Sequence, residues 1–253
     1  MATSLFSYFG SQLHETIRRP GRICNLLKPS AWRRHLRFRQ VKSLASGHWE
    51  QQSIDSSGIA KRKFNSYEDY LELQRSKLEF LDLDNHENRF RKALSDRLKN
   101  CVQVSPGMSV LCLGARLGGE VCAFLDHGCF AVGVDLNPGA DNKVVLPGDF
   151  QNLVFADRSI DIVYTNSLDH SFDLDGVCNE VARVLKTTGF FIVEADPGDA
   201  DESAIHPDIW ASTMWQTVDD LQRTLTQSRF ALAGRCKFDY PRHGIQLVLQ
   251  RSV

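Results

Sequence analysis

The residues best suited to chemistry in this 253-residue chain lie between about Val110 and Asn166. Val110-Leu-Cys-Leu-Gly-Ala-Arg-Leu-Gly-Gly-Glu is an apolar run that enters a glycine turn and then opens a helix. Gly114 lets the chain turn sharply, and Gly118 and Gly119 permit close backbone approach at the helix start. About 20 residues on, a second apolar run ends in Gly133-Val-Asp135, whose carboxylate can accept hydrogen bonds from two ribose hydroxyls. A glycine turn alone is weak evidence, but joined to an acid at the next strand end it reads as a nucleotide-cofactor site. That pair leaves a nicotinamide dinucleotide open. Against it, the loop does not read GxGxxG, and no Tyr-x-x-x-Lys pair follows.

The elements that must position these residues are strands alternating with helices. Met108–Leu113, Phe130–Val134, Ile160–Tyr164 and Phe190–Glu194 read as short buried strands. Gly118–Asp126 and Val177–Leu185 read as amphipathic helices between them, which predicts βαβ units and a doubly wound α/β sheet. Phe230–Lys237 and Ile245–Arg251 flank Tyr240-Pro-Arg-His-Gly and suit an antiparallel hairpin at the sheet edge. Upstream, Ser66 followed by Asp69 at the third position predicts a capped helix start, with Leu71, Leu78 and Leu81 on one stripe. A second helix from about His86 to Leu98 carries Phe90, Leu94 and Leu98 at spacings of four.

Residues 1–60 show no strand alternation. Leu5, Phe9, Leu13 and Ile17 recur every four residues and predict a short amphipathic helix, and Ser53–Gly58 reads as a linker. Residues 1–50 hold nine Lys/Arg against two Glu, a net +7, which leaves −8 for the rest of a chain whose total is −1. A basic arm on an acidic body suits peripheral contact with an anionic membrane, an organelle transit segment, or local docking. No run approaches the roughly 18 apolar residues a membrane span needs. The seven cysteines show no CxxC spacing and read as reduced buried thiols, which points to a reducing, cytoplasmic compartment.

Gly148-Asp-Phe-Gln-Asn-Leu-Val-Phe-Ala-Asp-Arg-Ser-Ile-Asp-Ile-Val follows the first two motifs. With it, the chain closely resembles the class I S-adenosylmethionine-dependent methyltransferases, particularly the group called type 11. Asn166-Ser-Leu-Asp-His170 and Glu180-Val-Ala-Arg-Val-Leu-Lys-Thr-Thr-Gly-Phe match the family's stretches after its fourth strand and before its fifth, so the likeness covers residues 104–196. It implies a Rossmann-like, mostly parallel seven-stranded sheet with an antiparallel C-terminal hairpin. It also implies S-adenosyl-L-methionine as cofactor. The loop residues Gly114, Ala115, Arg116 and Gly118 would meet the methionine portion, and Asp135 with Leu136 the ribose. Asp149 and Phe150 would read the adenine, with Asn166 and Ser167 closing the site. Cys112 stands where the family has an acid, and Arg116 where it has a glycine; Arg116 could approach the methionine carboxylate.

The resemblance divides the chain into a basic arm (1–60), a helical lid or cap (61–103) and a methyltransferase domain (104–253). Tyr67, Tyr70 and Gln74 of the cap are candidates for the cofactor lid, alongside simple packing on the sheet edge. His170 is the candidate catalytic base, with Asp169, Asp196 and His206 behind it, and closure of the cofactor pocket is its competing role. Trp210 and Trp215 follow the fifth strand as a wall for the acceptor or as core. The acidic stretch Asp196, Asp199, Asp201, Glu202 reads as a loop, and no metal is expected. The acidic body disfavours nucleic acid, so the expected acceptor is a small molecule or a glycan. The competing reading is a non-catalytic partner protein acting through its basic arm, motivated by Cys112 and Arg116.

Overall fold

The computed structural model describes residues 29–45, 49–51, 57–81, 83, 85–101, 104–204 and 207–252. The helix expected around Leu5–Ile17, and His206, lie outside the described residues. The chain divides into two units, Met1–Ser46 and Gly47–Val253. In the first, α1 (Pro29–Leu44) carries Arg33, Arg34, Arg37, Arg39 and Lys42.

The larger unit opens with β1 (Trp49–Gln51), β2 (Ile59–Arg62), α2 (Tyr67–Phe80) and α3 (His86–Cys101). Then come β3 (Ser109–Leu113), α4 (Gly119–Asp126), β4 (Phe130–Asp135), β5 (Val145–Pro147) and β6 (Ile160–Thr165). A single 3-10 turn at Leu168–His170 leads to α5 (Leu174–Val184) and β7 (Leu185–Ala195). The chain closes with β8 (Thr213–Trp215), α6 (Val218–Ser228), β9 (Phe230–Phe238) and β10 (Gly244–Arg251).

Seven strands form one sheet in the order β5-β4-β3-β6-β7-β10-β9. The first five pair in parallel, and β10 runs antiparallel to both β7 and β9. Alternation along each strand sends side chains to two separate cores. On one face, Leu111, Leu113, Val163, Phe191 and Val193 pack with Val177 and Val181 of α5 and Leu221 and Leu225 of α6. On the other, Val110, Cys112, Ile162, Tyr164 and Ile192 pack with Phe90, Leu94 and Leu98 of α3 and Phe124 of α4. The spacing of four in α3 thus marks a buried stripe. Arg97, on the same helix, forms a two-pronged ion pair with Glu194 of β7, both contacts 2.7 Å, and Gln246 donates to the same carboxylate at 2.8 Å.

Two expectations need correction. Residues 1–60 do contain strands: β1, β2 and β8 form a small antiparallel sheet, and β2 crosses the boundary drawn after residue 60. These strands are three or four residues long, too short for a period to show, and β2 meets β8 across about 150 positions of chain while β1 pairs with β2 close by. The reduced state holds at Cys112, Cys122 and Cys129, but Cys236 is disulfide-bonded. It sits half-exposed on β9, the outermost strand, where a sulfur can meet a partner beyond the core.

Candidate cofactor site

Three neighbouring parallel strands, β4, β3 and β6, end together, with Leu113 registered against Val134 on one side and Thr165 on the other. The chain leaving each end therefore converges over one edge of the sheet. Gly114 turns at φ +67°, and a Cβ there would lie 2.7 Å from Ser167 Cβ and 2.9 Å from its hydroxyl. No other residue fits that turn. Gly118 caps α4 at φ +96°. Arg116 between them also adopts a left-handed conformation (φ +45°), uncommon without glycine.

Hydrogen bonding holds that loop in place. The Gly114 and Ala115 amides donate to the Val134 carbonyl at 2.8 and 3.2 Å. The Arg116 amide donates to Asp135 Oδ2 at 2.9 Å, and the Asn137 amide to Oδ1 at 2.7 Å. The Asp135 carboxylate is thus fixed from both sides. A carboxylate offers about four acceptor positions, so capacity for two hydroxyls remains. Glu87 of α3 accepts from the Gly119 amide at 2.8 Å, filling one of the open N–H positions at the start of α4. Its other oxygen lies 3.8 Å from the Arg116 guanidinium.

Helix α2 supplies the opposite wall. Ser66 caps it by accepting from the Asp69 amide at 3.1 Å, as the sequence spacing predicts. Tyr70, Gln74, Lys77, Leu78 and Leu81 then recur at helical spacing and all line one cavity with the strand-end residues. This cavity is a cleft partly open to solvent. Tyr67 lies outside it: its hydroxyl donates to Asp149 and accepts from Gln151 Nε2 at 3.0 Å.

His170 lines the cavity with both ring nitrogens engaged. Nδ1 faces the Trp210 carbonyl at 3.2 Å, which places the ring proton there and leaves the Nε2 lone pair to accept from Lys77 Nζ. Burial lowers the His170 pKa, Asp169 opposes that, and Lys77 reinforces it, so the ring is neutral near pH 7. Burial likewise draws the Lys77 ammonium below its usual value, against the pull of Asp169. Gln74 donates to the same Trp210 carbonyl at 2.7 Å, and the Ser212 amide donates to the Asp169 carbonyl at 2.7 Å. Those contacts pin the loop before β8 to the 3-10 turn.

A second cavity is lined by Asp169, next in sequence to His170, with Asp196, Asp208, Arg242, Met214 and Trp215 among its walls. Burial raises the pKa of Asp196 despite Arg242 Nη2 at 2.6 Å. Asp208 is also pushed up by burial, but the Lys77 charge, the His170 ring once protonated at acidic pH, and the Trp210 and Ala211 amides outweigh this and leave it below the usual value.

Of the expected site residues, Gly114, Arg116, Asp135, Leu136, Phe150, Ser167 and His170 line the first cavity. Ala115 is fully buried in the core beneath α4, and Gly118 faces Val144 and Val145 as the helix cap. Asp149 shapes its own turn, accepting from the Gln151 amide at 2.9 Å, and Asn166 accepts from the Ser167 hydroxyl at 3.0 Å. Among the acidic residues of the following loop, Asp201 accepts from the Gly198 and Val218 amides at 2.8 and 3.0 Å. Trp215 is buried and its ring donates to the Asp196 carbonyl at 2.9 Å. Sequence reasoning missed Lys77, Leu78, Leu81, Asn137 and the brace from Glu87. For the α2 residues the signal was present, since Lys77 falls seven residues after Tyr70 on the face that carries Gln74.

With this geometry in hand, the family described as Methyltransferase domain matches residues 111–193, the span from β3 to β7. That segment is the part of the chain that resembles a methyltransferase domain. Over 112 residues it is 32% identical to a sterol 24-C-methyltransferase, ERG6B, of Gibberella zeae, covering 37% of this chain and 29% of that protein. Over 106 residues it is 34% identical to sterol 24-C-methyltransferase erg6 of Schizosaccharomyces pombe, covering 35% and 28%. The chain thus spans less than a third of the length of these two relatives. Among solved structures, Burkholderia thailandensis 1,6-didemethyltoxoflavin-N1-methyltransferase superposes with a TM-score of 0.58 at 14% identity, covering 81% of this chain and 100% of that one. That likeness establishes the fold.

Proposed function

We propose that this protein transfers a methyl group from S-adenosyl-L-methionine to a small-molecule acceptor. The observation that carries the reading is the cavity at the strand ends, which brings Asp135, the Gly114 turn, Phe150 and His170 together. Asp169, next in sequence to His170, lines the second cavity.

The residues present fit such a cofactor. Asp135 keeps free acceptor positions, Gly114 leaves a cradle that any Cβ would fill, and Phe150 gives an apolar ring at the nucleoside end. When bound, the cofactor supplies an already activated methyl group, so alignment and exclusion of water are the main tasks left to the protein. His170 is arranged for the first of these, because Trp210 and Lys77 occupy its two nitrogens. The sterol methyltransferases named above, and the toxoflavin-precursor enzyme, support a small acceptor by analogy. Met214 and Trp215 in the second cavity suit an acceptor with apolar surface.

The test uses the full chain with methyl-labelled S-adenosylmethionine and separate pools of sterols, nitrogen heteroaromatics and soluble glycans. Label entering a small-molecule pool, and absent with Asp135→Ala, supports the reading. Label confined to glycans, or to no pool despite cofactor binding, refutes the small-molecule acceptor.

A further inference from the structure

We propose that Lys77 is the recognition residue for the carboxylate at the methionine end of the cofactor, a role that rests on the cofactor reading above. The cavity is lined by Asp135, Leu136 and Phe150, which the family resemblance assigns to the nucleoside, and by Lys77 and His170, which contact one another. Two cationic side chains line it, Arg116 and Lys77. They differ in what they already face. The Arg116 guanidinium has Glu87 at 3.8 Å and shares that carboxylate with the start of α4. Lys77 has no carboxylate within ion-pair distance among the described residues; its polar contact is the lone pair of His170 Nε2.

A half-buried ammonium facing a cavity, held by a neutral ring and no counter-ion, is an incomplete arrangement. Burying a cation is costly unless an anion and further hydrogen bonds accompany it. Asp169, Asp208 and Asp135 attract Lys77, and Arg116 repels it, only at longer range, which leaves the amine's remaining N–H bonds to meet an incoming anion. The supporting contacts fix its direction. Trp210 accepts from His170 Nδ1, so the ring presents an acceptor and never a donor to Lys77, and Gln74 one turn earlier on α2 secures the same carbonyl. His170 is thereby a positioning residue that aims the amine, and α2 brings recognition of the cofactor's amino-acid end from outside the sheet.

The experiment compares S-adenosylhomocysteine with its decarboxylated form, which differs from it by the carboxylate alone. Calorimetric affinities are measured for the wild-type chain, Lys77→Met and Lys77→Arg. Wild type is expected to prefer the carboxylate-bearing ligand by about 10- to 100-fold, the worth of one charge-assisted contact. In Lys77→Met that preference should shrink to within about 3-fold while affinity for the decarboxylated ligand holds, and Lys77→Arg should retain most of it. Unchanged affinity for the decarboxylated ligand also shows that the variant is folded. A preference that persists in Lys77→Met, or an equal loss for both ligands, overturns the assignment and leaves the cofactor reading standing. A wild-type chain that binds neither ligand overturns both.

Discussion

Replacing Gly114 with alanine should be among the most damaging single-atom changes in the domain, through two separable effects. The first is backbone strain: at φ +67° a non-glycine residue costs about 1–2 kcal/mol. The second is collision, because the new Cβ would lie 2.7 Å from Ser167 Cβ and 2.9 Å from its hydroxyl, and overpacking of this kind costs about 1–3 kcal/mol. Together they predict a loss of about 2–5 kcal/mol, or roughly 5–15 °C in Tm for a domain of this size. Ser167→Gly removes the colliding atoms but not the strain. Introduced into the Gly114→Ala background, it should recover the collision component and leave the backbone component, giving a coupling of about 1–3 kcal/mol in a double-mutant cycle. Chemical denaturation of the four proteins measures this directly. Additivity within about 0.5 kcal/mol would refute the reasoning, because it would mean that Ser167 does not limit what position 114 can hold.

Three further outcomes follow from other parts of the fold. Arg97→Met should destabilise the domain by about 3–5 kcal/mol, because Glu194, 5% exposed, would stay buried without its cation; an Arg97→Met/Glu194→Gln double variant should regain part of that loss, and its absence would contradict the account. Glu87→Ala should cost about 0.5–2 kcal/mol by uncapping α4 at Gly119, read as a fall in denaturation midpoint. Burial raises the Glu120 carboxyl to about 8. Its folded-state pKa exceeds the unfolded value, so stability is full below the unfolded pKa of about 4.3 and declines as pH rises toward 8. Glu120→Gln should therefore raise Tm relative to wild type at pH 8 and leave it nearly equal at pH 5; the reverse ordering would count against a neutral buried Glu120.

The strands and helices of the sheet were legible because their apolar periods are strong and local. Phe130–Val134 and Ile160–Tyr164 fall within observed strands, Met108–Leu113 begins one residue before the strand Ser109–Leu113, and the hairpin after Phe230 was marked by the turn at Tyr240-Pro-Arg-His-Gly. What escaped was non-local. The small sheet joins β2 to β8 across the whole domain, and no window of sequence contains that pairing. Helix α6 was available but overlooked: Thr217 and Asp220 form a reciprocal cap, followed by Val218, Leu221 and Leu225 on one face. At the site, Gly114, Asp135 and Phe150 were readable because turn geometry and strand ends fix them. Lys77 was readable only as a member of the α2 face that carries Tyr70 and Gln74, and Glu87 was not readable, since it acts from a helix that precedes the glycine turn and reaches it only through folding.

The central claim is that Asp135, oriented by the Arg116 and Asn137 amides, holds the ribose of S-adenosylmethionine beside the Gly114 turn. Calorimetric titration of the full chain with S-adenosylhomocysteine, alongside Asp135→Ala, tests it most directly. The account predicts micromolar binding by the wild type and a loss of at least about 30-fold in the variant, the scale of removing a charged acceptor from two hydroxyls. Absence of binding by folded wild-type protein, or equal affinity in Asp135→Ala, would contradict it.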